Sequence, residues 1–135
     1  MRVVLDTNVV ASGFVFGGHP ETILLAWALA KIEVFASPEI LWEYEATLHK
    51  LSKKNPTDVQ QWLLFLHDRL NLTAPNRQVV LCRDPDDDKF LSCAVSAKAD
   101  FIISGDKDLL TLKTCEGIPI LKPAEFLKTH PALLK

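Results

Sequence analysis

The chain has 135 residues, of which 48% are hydrophobic, and a formal net charge of −2. This length and apolar content suit one folded domain over residues 1–135 and argue against disorder. The small net charge and a pI of about 6.1 exclude a globally basic surface, so a polyanionic partner would have to be held by bound metal and local Lys or Arg side chains.

The three cysteines and four histidines are too scattered for a disulfide framework or a zinc site. We expect reduced, buried thiols, which favours the cytoplasm. The N-terminus enters an apolar run directly, without the hydrophobic segment of a signal peptide, and no apolar run approaches bilayer length. The sequence therefore predicts a soluble intracellular protein.

In the first half of the chain, short apolar runs alternate with amphipathic segments. Arg2–Leu5 is apolar and without period, as is typical of a strand buried on both faces. The glycines at positions 13, 17 and 18 are expected to interrupt the segment that follows it. The predicted elements are a strand at Arg2–Leu5, a helix from Pro20, a strand at Val34–Ala36, a helix from Ser37 to about Lys50 and a helix from Pro56 to about Leu70.

The second half continues the alternation. The predicted elements are a third strand at Val79–Cys82, an acidic helix to about Ala99, a fourth strand at Phe101–Ile103, a fifth strand at Ile118–Leu121 and a helix from Pro123. Because proline cannot donate to a sheet ladder, Pro119 should restrict the fifth strand to an edge. Strands that alternate with helices indicate an α/β fold with a mostly parallel sheet of four to five strands.

Carboxylates follow several of the predicted strands. Asp6 ends the first and Asp106 follows the fourth, so both should lie at the edge formed by the carboxyl ends of the strands. The acidic helix begins beyond the third strand, and the helix after the second supplies Glu39, Glu43 and Glu45. Carboxylates that converge from separate segments need a cation, and a site with oxygen ligands alone suits Mg²⁺ or Mn²⁺.

The stretch from Arg83 to Phe90 carries four of these acids. Asp84 and Pro85 are typical of an N-cap and a first helical position. At about 100° per residue, Asp87 points along the centre of the buried helix face, whereas Asp86 and Asp88 flank it. We therefore predict Asp87 as the metal ligand of this helix, with Asp88 as a second ligand or a water-mediated contact.

Four motifs occur in order along nearly the whole chain: Asp6–Val9, Ser37–Glu43, Asp84–Leu91 and Ser104–Leu110. Together they closely resemble the PIN-domain family, and within it the VapC-related toxins of bacterial and archaeal toxin–antitoxin pairs. The resemblance implies a Rossmann-like, three-layer α/β/α ribonuclease with three or four acidic metal ligands, often a homodimer and often inhibited by an antitoxin. Matched to the family's motifs, the metal ligands and catalytic acids are Asp6, Glu43, Asp87 and Asp106, with Thr7, Asn8 and Ser104 in supporting positions.

The sequence therefore predicts a Mg²⁺- or Mn²⁺-dependent ribonuclease that hydrolyses phosphodiester bonds without a protein nucleophile. One alternative is a catalytically silent PIN-like module that binds RNA or a protein. A metal-dependent phosphatase is a weaker alternative, because haloacid-dehalogenase-like enzymes have a second Asp two residues after the first, where this chain has Asn8. A response-regulator receiver would have paired acids there.

Overall fold

The structure is a computed structural model that describes residues 1–51 and 56–134. Its strands are β1 (Arg2–Leu5), β2 (Glu33–Ala36), β3 (Asn71–Leu72), β4 (Phe101–Ile103), β5 (Thr114–Cys115) and β6 (Ile118–Leu121). They form one sheet in the order β3-β2-β1-β4-β6-β5. Every neighbouring pair is parallel except β5 and β6, which are antiparallel.

Helices connect most of these strands. They are α1 (Thr7–Val15), α2 (Gly18–Ala28), α3 (Pro38–Leu51), α4 (Pro56–Arg69), α5 (Asp88–Ala97), α6 (Lys107–Leu110) and α7 (Pro123–Thr129). A 3₁₀ turn at Pro85–Asp87 precedes α5, and a second one at Pro131–Leu134 follows α7. Within the described ranges no single helix is long and apolar enough to cross a membrane, although α1 and α2, bent by 94°, meet such a test as a pair.

The predicted Rossmann-like α/β fold with a mostly parallel sheet is confirmed. Its centre is β1, whose Val3, Val4 and Leu5 are fully buried, as expected for a strand with neighbours on both sides and helices above it. The sheet has six strands rather than four or five. The additional strands β3 and β5 are two residues long, too short to produce a hydrophobic period in the sequence.

Helix α1 was not predicted, because Gly13 was interpreted as a break. In the structure Gly13 lies inside α1 and allows this helix to pack closely on α2. A Cβ at Gly13 would come within 2.5 Å of the Leu24 Cδ1 atom, so the glycine marks a close approach of two helices. The chain bends instead at Gly17, where φ is +88°, and α2 follows at 94° to α1.

The predicted strand at Val79–Cys82 is wrong, since the segment between β3 and the 3₁₀ turn contains no strand. Side chains of α5 bind its backbone instead. The Val79 N–H donates to Ser92 Oγ (2.9 Å), and the Leu81 and Cys82 N–H groups donate to Asp88 Oδ1 (3.0 and 2.8 Å). One turn further along the helix, Ser96 Oγ accepts from the Asn76 N–H (3.1 Å).

We call Asp88, Ser92 and Ser96 the α5 polar stripe. Their spacing of four residues places them on one side of the helix. The stripe satisfies backbone donors that would otherwise require a neighbouring strand. An apolar run beside a polar stripe therefore resembles a strand in sequence without being one.

The prediction that Pro119 restricts its strand to an edge is also wrong. Strand β6 lies between β4 and β5, and the edge is β5. Proline is tolerated there because the ladder with β4 begins one residue later, at Ile102↔Ile120. On the other side, the Ile120 N–H donates to the Lys113 carbonyl (2.9 Å).

Helix α3 follows its sequence pattern. Ser37 Oγ accepts from the Ile40 N–H (3.2 Å), the bond of an N-capping serine. Ile40, Tyr44 and Leu48 are fully buried at helical spacing. The Tyr44 hydroxyl donates to the Leu5 carbonyl at the end of β1, so α3 is fixed directly over the strand end that carries Asp6.

Candidate acidic site

Asp6 is held at the carboxyl end of the central strand. Its N–H donates to the Ile103 carbonyl (2.9 Å), which extends the β1–β4 ladder by one residue, and α1 begins at the next position. The buried carboxylate accepts from Ser104 Oγ at Oδ2 (2.7 Å). The pKa of Asp6 is raised overall, chiefly because the carboxylate is buried. The hydrogen bond from Ser104 lowers this pKa, and the charges of Asp106 and Glu43 raise it.

Asp106 lies beside Asp6 because β4 is the parallel neighbour of β1. One hydroxyl links the two acids: Ser104 Oγ donates to Asp6 and accepts from the Asp106 N–H (2.9 Å). Asp106 also caps α6, since its Oδ1 accepts from the Asp108 N–H (2.9 Å). The predicted supporting role of Ser104 therefore has a physical basis, because it fixes Asp6 and the turn that carries Asp106.

Asp87 ends the 3₁₀ turn that precedes α5, and only 9% of its surface is exposed. Burial raises its pKa to about 7, with further contributions from the neighbouring Asp106 carboxyl group and from the charges of Asp6 and Asp84. Its Oδ2 atom is buried and, among the described residues, has no hydrogen-bond partner. A buried carboxylate oxygen without a donor, facing other carboxylates, is costly unless a proton or a cation binds it.

Glu43 approaches the same edge from α3. Its Oε2 accepts from the Thr7 hydroxyl, and its Oε1 lies 2.7 Å from Lys89 Nζ. Lys89 is in the first turn of α5, and only 7% of its side chain is exposed. Burial lowers the pKa of Lys89, but its hydrogen bonds to Glu43 and Asp86 outweigh that effect and raise it.

The sequence analysis did not identify Lys89. Its proximity to Asp86, three residues earlier, is the only signal the sequence offered, and that pair has the spacing of an ordinary surface contact. Glu43 comes from a distant segment, so the pairing becomes visible only once α3 and α5 pack together.

The acids of the stretch from Arg83 to Phe90 have different roles in the structure. Asp84 Oδ1 accepts from the Asp86 N–H (3.0 Å), so Asp84 is the predicted N-cap. The Asp86 side chain is 72% exposed, whereas Asp87 and Asp88 are buried. One carboxylate oxygen from each of Asp84, Asp87 and Asp108 lies within 4.8 Å of the others, and Asp108 also pairs with Arg83 (3.0 Å). Asp87 thus lies between Asp6 and Asp106 on one side and the outer acids on the other.

Two variants separate a metal-ligand role of Asp88 from its role in the α5 polar stripe. Asp88→Ala removes the acceptor of two N–H groups and should lower the free energy of unfolding by about 1–3 kcal/mol. Asp88→Asn keeps an acceptor oxygen and should lower it by less than about 1 kcal/mol. Urea unfolding measures both changes. A Mn²⁺ affinity unchanged in Asp88→Asn identifies Asp88 as an anchor of the loop, and a loss of about tenfold or more identifies it as a ligand.

The donor set fits a hard divalent cation. Asp87 belongs to the cluster with Asp84 and Asp108, and the charges of Asp106 and Asp6 also act on it, whereas Asp6 and Asp106 are not members of that cluster within the described residues. The cluster contains carboxylates and no cysteine or histidine. Oxygen ligands of this kind suit Mg²⁺ or Mn²⁺ rather than zinc or copper. The unpartnered Asp87 Oδ2 atom is the specific feature that a cation would satisfy.

Comparisons with known proteins concern the chain as a whole rather than its single site residues. The sequence profile of the PIN domain matches residues 2–108. The uncharacterized protein MJ1680 of Methanocaldococcus jannaschii is 36% identical over 118 residues, which cover 84% of this chain and 76% of that protein. The crystal structure of VapBC2 from Rickettsia felis, bound to a DNA fragment from its promoter, contains a chain with a similar fold. The TM-score is 0.60 at 15% identity, over 90% of this chain and 98% of that one.

Proposed function

The chain belongs to the PIN-domain family, and on that premise we propose that it is a divalent-metal-dependent endoribonuclease, the toxin of a toxin–antitoxin pair. Members of this family are typically nucleases. The observation that carries the proposal is the buried Asp87 carboxylate, which has an unpartnered Oδ2 and the acids Asp6 and Asp106 close by.

In this proposal Asp6, Asp87 and Asp106 hold Mg²⁺ or Mn²⁺, and Glu43 completes the acidic site. A bound ion of this kind activates water and neutralises charge on a phosphodiester. The chain's own contribution is to orient the ligands. Ser104 fixes the Asp6 carboxylate, and the Asp108 N–H fixes Asp106. Ligands fixed before binding reduce the reorganisation needed when the substrate arrives.

The partners and the location are part of the same proposal. A VapBC complex among the similar structures supports a cognate antitoxin, and we extend the proposal to a homodimer that acts on RNA. Cys82, Cys93 and Cys115 are buried and free, which supports a reducing compartment such as the cytoplasm.

The direct test is cleavage of single-stranded and structured RNA by the purified protein. We expect products with Mg²⁺ or Mn²⁺ and none with EDTA. Asp6→Asn should lower the rate by about 10²-fold or more, because Asp6 is a ligand at the centre of the site. Gel electrophoresis of labelled RNA measures each rate.

Asp68→Asn is the matched control, because Asp68 is an exposed carboxylate on α4 whose one ion-pair partner among the described residues is the adjacent Arg69. Its rate should equal that of the wild type. Cleavage that persists in EDTA would contradict the proposal, as would an Asp6→Asn variant with an unchanged rate. RNA binding without metal-dependent products would indicate a catalytically silent module instead.

A further inference from the structure

Asp87 and Glu43 mark two sides of the acidic site, and the partners of their carboxylate oxygens differ. On the side of Asp87, a carboxylate oxygen is buried without a partner. On the side of Glu43, both carboxylate oxygens are occupied, one by the Thr7 hydroxyl and the other by Lys89 Nζ at 2.7 Å. Among the described residues no Lys or Arg pairs directly with Asp87, and the nearby Arg83 pairs with Asp108, whereas Glu43 is paired with Lys89.

Lys89 is a fixed cation rather than a solvated surface lysine. Its ammonium group has three protons and three acceptors: Glu43 Oε1 (2.7 Å), the Asp86 carbonyl (2.7 Å) and Asp86 Oδ1 (3.2 Å). The Nζ atom also lies 5.3 Å from the centre of the Phe90 ring. With 7% of the side chain exposed and every donor engaged, the charge is held in one position.

We propose that Lys89 is the permanent cation of the Glu43 side of this site, so that the protein binds a single divalent ion, on the side of Asp6, Asp87 and Asp106. This inference rests on the proposed metal-dependent function and specifies how many ions it uses. Glu43 then acts as a positioning residue that holds Lys89 and Thr7, and it is not a direct ligand of the ion.

The physical reason is repulsion between cations. An ion coordinated by Glu43 Oε1 would lie a few ångströms from Lys89 Nζ, because the two atoms are already in hydrogen-bond contact. At that distance two positive charges repel strongly in a partly buried site. Among the described residues Asp87 has no direct cation partner, since the side chain of Arg83 pairs with Asp108, and the other acids around Asp87 attract a cation.

The test is a calorimetric titration of the intact protein with Mn²⁺, which reports stoichiometry without any substrate. The wild type should bind one ion per chain. Glu43→Gln should also bind one ion, with a dissociation constant within about threefold of the wild type, since a direct ligand would cost about tenfold or more. Lys89→Arg keeps the charge and should bind one ion.

Removal of the fixed charge should open a second site. Lys89→Met leaves the Glu43 carboxylate without its cation, and we expect two Mn²⁺ ions per chain. The double variant Lys89→Met with Glu43→Gln should return to one. Lys128→Met, at an exposed position on α7, is the control and should bind one ion.

Several results would overturn the inference. Two ions in the wild type, one of which is lost in Glu43→Gln, would make Glu43 a ligand. So would a single ion bound about tenfold more weakly by that variant. One ion in a folded Lys89→Met protein would reduce Lys89 to a structural role. If Lys89→Met does not fold, the number of Mn²⁺ ions bound by the wild type and the Mn²⁺ affinity of Glu43→Gln still test the inference. A wild type that binds no Mn²⁺ would overturn both this inference and the proposed metal site, whereas a two-ion result overturns the inference alone.

Discussion

Replacement of Asp87 by asparagine should abolish RNA cleavage and, at the same time, raise the melting temperature of the metal-free protein. The pKa of Asp87, raised from 3.8 to about 7, indicates that its ionised form is disfavoured in the folded state. Near pH 8 the folded protein must nevertheless ionise it, which lowers the free energy of unfolding. The variant is neutral and similar in shape, so we expect a gain of about 1–3 kcal/mol, or several degrees.

The loss of cleavage has the same origin. The charge that destabilises the empty site is the charge that would bind a metal ion, and its removal should lower the rate by about 10²-fold or more. Differential scanning calorimetry in EDTA and the RNA assay measure the two effects. Asp68→Asn should change neither. A lower melting temperature for Asp87→Asn would mean that the carboxylate stabilises the metal-free fold, contrary to its burial beside other acids.

A second large effect is expected when pH and Mn²⁺ are varied together. A carboxyl group whose pKa is raised by folding binds its proton more tightly in the folded state than in the unfolded state. The contribution of Asp87 to the free energy of unfolding should therefore be greatest below its unfolded pKa of 3.8. This contribution should fall as the pH rises towards about 7. Asp6, whose pKa is also raised, contributes in the same direction.

Mn²⁺ should flatten this slope, because the ion displaces the proton from the same oxygen atoms and the folded state then binds no more protons than the unfolded state above about pH 5. At about 100 times its dissociation constant the ion adds about 2.7 kcal/mol to the free energy of unfolding. Urea unfolding from about pH 5 to about pH 8, with Mn²⁺ or EDTA, measures both slopes, and the difference between the wild type and Asp87→Asn isolates the contribution of Asp87. A metal-free difference that is independent of pH would contradict the raised pKa.

The sequence was most informative where function depends on strand ends. Asp6 and Asp106 could be predicted to meet because both follow apolar strands, and the carboxyl ends of parallel strands share one edge. Asp87 was preferred to its neighbours from helical spacing, but it lies in the 3₁₀ turn before α5, and Asp88 is equally buried, so burial does not separate the two and Asp87 as the ligand stays a prediction. These inferences needed only local periodicity and a general rule of sheet topology.

Contacts between distant segments could not be predicted from local sequence patterns. The apolar run at Val79–Cys82 has the composition of a strand, and only its bonds to α5 side chains show that it is a loop. Gly13 could not be distinguished from a helix breaker without Leu24 opposite it. Lys89 was missed for the same reason, since its partner Glu43 belongs to another helix.

The α5 polar stripe also links local unfolding of α5 to the position of the Asp87 carboxylate. The loop that it binds has no ladder of its own, so its backbone amides stay protected only while α5 is formed. Asp87 immediately precedes the same helix. Loop and acid therefore belong to one cooperative unit, and a single local unfolding of α5 would release the loop and carry the Asp87 carboxylate away from Asp6 and Asp106. Any ligand that binds Asp87 would in turn slow hydrogen exchange at Val79 and Cys82, which are not part of the acidic site.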